Sequence, residues 1–393
     1  MPTAAGRALN ELRLLGVYGT NKVMAGELSR LCQRALPELR LPDPRKAGPG
    51  ALVYPFDARL ARLAGYYHRT SARVLWDVIE SAATRLEPLF DDVVAVTGHD
   101  CGRYLWEGAR ISVYAQSVAN FAAGERQIIG TVKNGLIEGA LRSGLHITLD
   151  PTAPDVLFCV RMDGERLTVS IDLAGRPMNQ RGYRTAPGPA PLREDLAAVL
   201  LMLARYDARK DVLIDPMAGS GTIAIEAACM ARAAPVWISP RVPLLANMPA
   251  FQGLLPRGDE PLFADTQPRV LAGDVSEAAS ASARNAMQLA QVSSFVRVVT
   301  SDFRDLSPRD LPHTGSGAGL ILSNPPYGER LGSADLFALY SDLGSFCARF
   351  KGYRAAFLVA NREFEHAFGM RPRIKKPLSN GPLRGYFYLY EID

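Results

Sequence analysis

Val212-Leu-Ile-Asp-Pro-Met-Ala-Gly-Ser-Gly-Thr222 runs from an apolar triplet through an acid and a glycine-bearing loop into an apolar helical stretch, residues 222–231. Gly219 and Gly221 let a ligand approach the backbone, and the helix start beyond them offers N–H groups with no intrahelical partner. The same alternation repeats downstream. A strand is predicted over 270–272 and a helix over 278–289, a strand over 296–299, then a strand over 319–322 and a helix over 335–350. Apolar strands followed by helices predict a parallel, doubly wound α/β sheet, whose ligand sits at the carboxyl ends of the strands. Residues 235–268 read as a proline-rich insertion between the first helix and the second strand.

Three ligands compete for the glycine loop. A phosphate-cradling loop of the Gly-Lys-Ser/Thr type is excluded, because Thr222 follows Gly221 with no lysine between them. A dinucleotide fingerprint is met formally, but it expects an acid about 20 residues on, where the chain has Ser239-Pro-Arg241. S-adenosylmethionine explains more of the pattern. Asp215 and the loop residues Pro216, Met217, Ala218, Gly219, Ser220, Gly221 and Thr222 face its methionine part. Asp274, ending the next strand, is placed for the ribose diol. Asp302, ending the one after, is placed for the adenine amine, with Phe303 as an apolar wall.

The fourth strand end carries Asn324-Pro-Pro-Tyr327. Two prolines stop helix and sheet alike and impose a rigid loop. An Asn carboxamide, a nearby carbonyl and an aromatic ring suit a flat base bearing an exocyclic amine. Asn324, Pro325, Pro326 and Tyr327 are therefore the expected catalytic set, with Asn324 also beside the cofactor.

Upstream, residues 1–58 combine a helical pattern over 25–36 with a Pro/Gly-rich break over 41–50, and residues 59–172 mix helix and strand signals. Helix-like runs cover 60–64 and 72–76. Strands are expected over 111–117, 155–161 and 166–172, the last two joined by a type I′ turn at Met162-Asp-Gly-Glu165. This is the pattern of an α+β module.

With 393 residues, 48% hydrophobic and 22% charged, the chain is globular and long enough for two or three domains. A net charge of +5 allows a polyanionic partner at a patch and excludes a wholly basic surface. Five scattered cysteines and five scattered histidines give neither a disulfide framework nor metal-ligand spacing, so no metal is expected. No apolar run approaches membrane-spanning length and the start lacks an apolar leader, so a cytoplasmic protein is expected.

These motifs together resemble the class I RNA guanine-N2 methyltransferases that carry a THUMP domain, most closely those acting on large-subunit rRNA. The resemblance rests on Ile171-Asp-Leu-Ala-Gly175, Gln180-Arg-Gly-Tyr-Arg184, Ala190-Pro-Leu-Arg-Glu-Asp-Leu-Ala197, the glycine loop, Ser323-Asn-Pro-Pro-Tyr-Gly-Glu-Arg-Leu331 and Ser379-Asn-Gly-Pro-Leu383. It implies a Rossmann-like domain with a mostly parallel seven-stranded sheet at 191–393, a linker at 173–190, a THUMP RNA-binding domain at 59–172 and a ferredoxin-like piece at 1–58. It also implies S-adenosylmethionine as cofactor and structured RNA, 23S rRNA or tRNA, as partner. Arg181, Tyr183, Arg184 and Arg193 are then candidates for cofactor or RNA contact. A second basic run supplies Arg371, Arg373, Lys375 and Lys376 as RNA candidates. Three rivals are an adenine-N6 methyltransferase, a non-catalytic RNA-binding scaffold and an NAD(P) oxidoreductase.

Overall fold

A computed structural model describes residues 6–118, 120–184, 192–310, 319–326, 333–380 and 383–393. The N-terminal module runs β1 (Arg7–Gly16), α1 (Asn21–Ala35), β2 (Arg45–Gly48), β3 (Ala51–Pro55), α2 (Ala58–Tyr67), β4 (Ser71–Ser81), α3 (Leu86–Asp100), β5 (Arg110–Gln116), α4 (Glu125–Arg142), β6 (Thr148–Leu149), β7 (Val156–Asp163) and β8 (Arg166–Asp172). Its strands form one sheet in the order β2-β3-β1-β4-β8-β7-β5-β6. The second half runs α5 (Glu194–Leu203), β9 (Val212–Asp215), α6 (Thr222–Ala231), β10 (Arg269–Asp274), α7 (Glu277–Leu289), β11 (Val296–Thr300), β12 (Gly319–Ser323), α8 (Ser333–Ala348), β13 (Arg354–Val359), α9 (Phe364–Phe368), β14 (Ile374–Asn380) and β15 (Leu383–Glu391). These strands order as β11-β10-β9-β12-β13-β15-β14.

All strands of the second sheet are parallel except β15, which pairs antiparallel with both neighbours. Their residues alternate between two cores. Leu213, Ala272, Leu320 and Leu322 face α5, α6 and α7, whereas Val212, Ile214, Leu271 and Ile321 face α8 and α9. Burial on both faces is why these strands read as continuous apolar runs. The Rossmann-like expectation holds, and the crossover between β10, β9 and β12 places their carboxyl ends along one edge.

The N-terminal sheet is two-faced. Leu12, Val74, Trp76, Phe158 and Ile171 pack under the helices. Alternate positions carry a buried polar network, with Asp77 accepting from Arg13 (2.8 Å), Arg161 (3.0 Å) and Ser170 (2.7 Å).

Four local expectations are corrected. Residues 72–76 lie in strand β4, not in a helix. Their apolar residues alternate across a central strand between β1 and β8, and this pairing outweighs the helical signal. Residues 1–58 do not stand apart from 59–172, since β1 pairs with β4 across that boundary. The break over 41–50 contains β2, an edge strand against β3. At the β7–β8 hairpin the two-residue loop is Gly164-Glu165, and Gly164 alone has positive φ (65°), which suits type II′ rather than type I′.

The insertion at 235–268 straps the two halves together. Trp237, Leu245, Met248 and Phe251 join the N-terminal core, where Phe251 sits edge-on to the stacked pair Phe56 and Trp76. Arg62 donates to the Pro256 and Arg257 carbonyls at 2.8 Å, and Trp237 donates from its ring to the Gly65 carbonyl at 2.8 Å. Backbone hydrogen bonds add Val236 to Tyr66 and Leu245 to Leu173.

Candidate active site

Asp215, Asp274 and Asn324 lie at the carboxyl ends of β9, β10 and β12. Asp215 ends β9 and is 1% exposed. The chain then turns through Gly219 (φ 54°) and Gly221 (φ 78°) into α6. The two glycines serve different needs. A Cβ on Gly221 would lie 2.8 Å from the Met287 Cε and 3.2 Å from the Ala283 Cβ, so only glycine lets α6 start this close to α7. A Cβ on Gly219 would meet nothing within 4 Å, which leaves its outer side open to a ligand.

The loop is fixed from beneath. Ala218 N–H donates to the Gly273 carbonyl, and Gly219 N–H donates to an Asp274 carboxylate oxygen, both at 2.8 Å. The other Asp274 oxygen accepts from Ser276 N–H at 2.9 Å.

Asp215 is less well satisfied. Its Oδ1 accepts from the Ser323 hydroxyl at 2.6 Å and, more weakly, from Met217 N–H at 3.4 Å. Burial pushes its carboxyl up to about 7; these hydrogen bonds act downward, and the nearby Asp274 charge adds to the rise. Ser323 thus ties β9 to β12, one residue before Asn324. Sequence reasoning missed it, although a hydroxyl closing the apolar run Gly319-Leu-Ile-Leu322 is a visible signal.

Asn324 Oδ1 is buried and has no hydrogen-bond partner among the described residues. The turn after it is anchored, since the Pro326 carbonyl accepts from the Tyr340 hydroxyl of α8 at 2.7 Å. Pro325 is buried and Pro326 exposed. Tyr327 lies outside the described residues.

The third acid is less free than expected. Asp302 caps a short helical turn, accepting from Arg304 N–H at 2.9 Å and pairing with its guanidinium at 2.7 Å. Phe303 is 5% exposed and packs edge-on against Phe346. Its ring belongs to the core under the edge and is not a free wall.

Two of the arginine and tyrosine candidates change role. Arg181 and Tyr183 are 0% and 1% exposed, and both hold Glu226 of α6. Glu226 also accepts from Arg69 of the N-terminal module at 3.1 Å, so these side chains form the domain seam and are closed to RNA. A lone carboxylate in the apolar helix Thr-Ile-Ala-Ile-Glu-Ala-Ala was the readable sign of such a partner. Arg184 remains at the site, donating to the Thr222 hydroxyl at 2.7 Å where α6 begins. Arg193 pairs with Asp195 at 2.6 Å on α5. In the second basic run Arg373 pairs with Glu391 and Lys375 with Glu365, whereas Lys376 donates to the Gly19 carbonyl at 3.0 Å.

S-adenosylmethionine fits these residues. The open side of Gly219, the two strand-end acids and the Asn324 oxygen, unpartnered among the described residues, give a cationic, hydroxyl-rich ligand acceptors and backbone access in one place. Among the described residues no group of three or more His, Cys, Asp or Glu is arranged to hold a metal, and no helix is long and apolar enough to cross a membrane.

Comparison with known proteins agrees with this geometry. The chain is 30% identical over 342 residues to the "Ribosomal RNA large subunit methyltransferase K/L" of Methylococcus capsulatus, covering 83% of this chain and 45% of the relative. It is 27% identical over 405 residues to the protein of that name from Alteromonas mediterranea, covering 98% of this chain and 54% of the relative. The chain thus spans about half the length of these curated relatives. Among solved structures, SMU.472 in complex with SAH superposes with a TM-score of 0.82 at 24% identity, covering 98% of this chain and 99% of that one. TrmN from Thermus thermophilus gives 0.69 at 22%, covering 98% and 100%. These likenesses show the shared fold over both halves. The family model "UPF0020: RMKL-like, methyltransferase domain" matches residues 181–388, more than half of the chain and the whole edge just described. The chain belongs to the RMKL-like methyltransferase family.

Proposed function

We propose that this protein transfers a methyl group from S-adenosylmethionine to the N2 amine of a guanine in structured RNA, with 23S rRNA in the cytoplasm as its substrate. The observation that carries the reading is the Oδ1 of Asn324 at the end of β12, which is buried and has no hydrogen-bond partner among the described residues. A buried acceptor without a donor is unfavourable by about 1–3 kcal/mol, so its retention points to a donor that arrives with the substrate.

When bound, S-adenosylmethionine supplies an electrophilic methyl carbon on a positively charged sulfur. The chain's own residues supply place and orientation. The loop from Asp215 to Thr222 holds the methionine part, Asp274 the ribose and Asp302 the adenine. Asn324 accepts an N–H of the target amine and turns the nitrogen lone pair outward. That lone pair is delocalised into the guanine ring, so fixing its direction contributes more than removing a proton beforehand. The base leaves its stack to reach Asn324, and Tyr327 replaces the lost stacking. Ser323 is a positioning residue, since it holds Asp215 in line with β12. The N-terminal module, which carries the THUMP resemblance, grips the folded RNA around the target. The names of the K/L relatives favour large-subunit rRNA among RNAs.

The test is incubation of the protein and S-adenosylmethionine with unmodified 23S rRNA, tRNA and DNA, followed by nucleoside mass spectrometry. N2-methylguanosine in the 23S rRNA is expected. Methyl groups found only in tRNA would move the substrate, and N6-methyladenosine would overturn the base assignment.

A further inference from the structure

We propose that Lys22 of the N-terminal module and Lys376 of the catalytic sheet together form one receptor, across the domain seam, for a backbone phosphate of RNA flanking the target nucleotide. This rests on the RNA reading above and adds the place where the strand crosses from one domain to the other.

Three observations carry it. Lys376 Nζ donates to the Gly19 carbonyl at 3.0 Å, three residues ahead of Lys22, so both lysines lie at one seam. Burial first, and then the charge of Lys22, hold the Lys376 ammonium below its ordinary range. Neither lysine has a carboxylate partner among the described residues, whereas Lys375, next in the strand, is answered by Glu365. Two like charges at one seam without an acid oppose the docking of the domains, and an anion between them removes that opposition.

Register fixes where this anion lies. Ser323 pairs with Phe357, Phe357 with Tyr388, Leu358 with Phe387, and Phe387 with Lys376. Lys376 is therefore level with Asn324, the residue after Ser323. It stands three strands away, or roughly 14 Å at about 4.8 Å per strand. A nucleotide held at Asn324 leaves its neighbouring phosphates within that range. Tyr18, beside Gly19, is 72% exposed and offers a ring on which an unpaired base can stack. An exposed ring beside paired cations fits a nucleic acid strand better than an acidic peptide.

The experiment compares wild type, Lys22→Ala, Lys22→Arg, Lys376→Ala and the double alanine variant on an unmodified 23S rRNA transcript. KM for RNA and the slope of log affinity against log salt are both measured. Each alanine is expected to raise KM roughly 3- to 10-fold and to lower the magnitude of the salt slope by about one, with Lys22→Arg near wild type. The double variant should fall short of the product of the singles, because both act on one phosphate. Turnover at saturating RNA and cofactor affinity by calorimetry should not move. Lys376→Ala also removes the Gly19 hydrogen bond, so Lys22→Ala is the deciding variant. Wild-type KM and slope in Lys22→Ala, with the wild type binding the transcript, would overturn the receptor alone. A wild type with no affinity for any RNA would overturn the substrate reading as well.

Discussion

The domain seam and the cofactor edge lie at either side of the start of α6, yet their buried acids live in opposite conditions. Glu226, in the second turn of α6, is fully buried and accepts from Arg69, Arg181 and Tyr183. Asp215, in the strand that feeds α6, is as deeply buried but has one good donor, the Ser323 hydroxyl. Beside it, Asn324 Oδ1 has none among the described residues. Where every lone pair is answered from within the chain, the group serves architecture. At the cofactor edge, where answers are missing, the group is open to a ligand.

The strongest challenge to that contrast is Glu226→Gln, which leaves two guanidinium groups buried without their carboxylate. Loss of about 3–5 kcal/mol of stability is expected, seen as a lower midpoint of urea unfolding. An unchanged midpoint would show that the seam does not depend on this acid. Asn324→Ala should do the reverse. Methyl incorporation is expected to fall by roughly 10²- to 10³-fold, while cofactor affinity stays near wild type and the unfolding midpoint holds or rises, since a buried acceptor without a donor is removed. Retained turnover would remove Asn324 from catalysis.

Asp215→Asn sharpens the contrast through pH. The folded-state value of about 7 lies above the ordinary carboxylate range, so the folded protein keeps a proton that the unfolded chain has released. The stability from this group is full below about pH 4 and is lost as pH rises through about 7, by roughly 4 kcal/mol at most. The variant should therefore gain stability over wild type near neutral and higher pH, and the gain should vanish in acid. A gain independent of pH in thermal unfolding would contradict the burial argument.

Smaller effects follow at the edges. Asp274→Ala removes the acceptor of Gly219 N–H as well as the expected ribose partner, so cofactor affinity should fall about tenfold by calorimetry, the loss of one or two charge-assisted hydrogen bonds. Arg373→Ala breaks an exposed pair with Glu391 and should change stability by less than about 1 kcal/mol.

The catalytic half was legible because its strands are apolar on both faces and its loops carry glycine, proline and acids in order. Residues 222–231 are α6 as read, and β9, β10, β11 and β12 fall where the apolar runs predicted them. The N-terminal half was harder. In β4 the apolar residues Val74, Leu75 and Trp76 run together and imitate a helix, and the edge strand β2 hides among prolines and glycines. Arg181 and Tyr183 read as surface contacts because an arginine-rich segment is usually solvated, and nothing local reveals a buried acid 45 residues away.

The sequence by itself determined the α/β order, the glycine loop, the strand-end acids and the Asn-Pro-Pro stop, since each is written in residues adjacent along the chain. Only the tertiary structure decided which of the polar groups are spent. It buried Arg181 and Tyr183 on Glu226, tied Ser323 to Asp215, turned the proline-rich insertion into an interdomain strap and brought Lys376 onto the Gly19 carbonyl. Those outcomes depend on long-range packing and on desolvation, which set a charge's role by its neighbours in space and not by its neighbours in the chain.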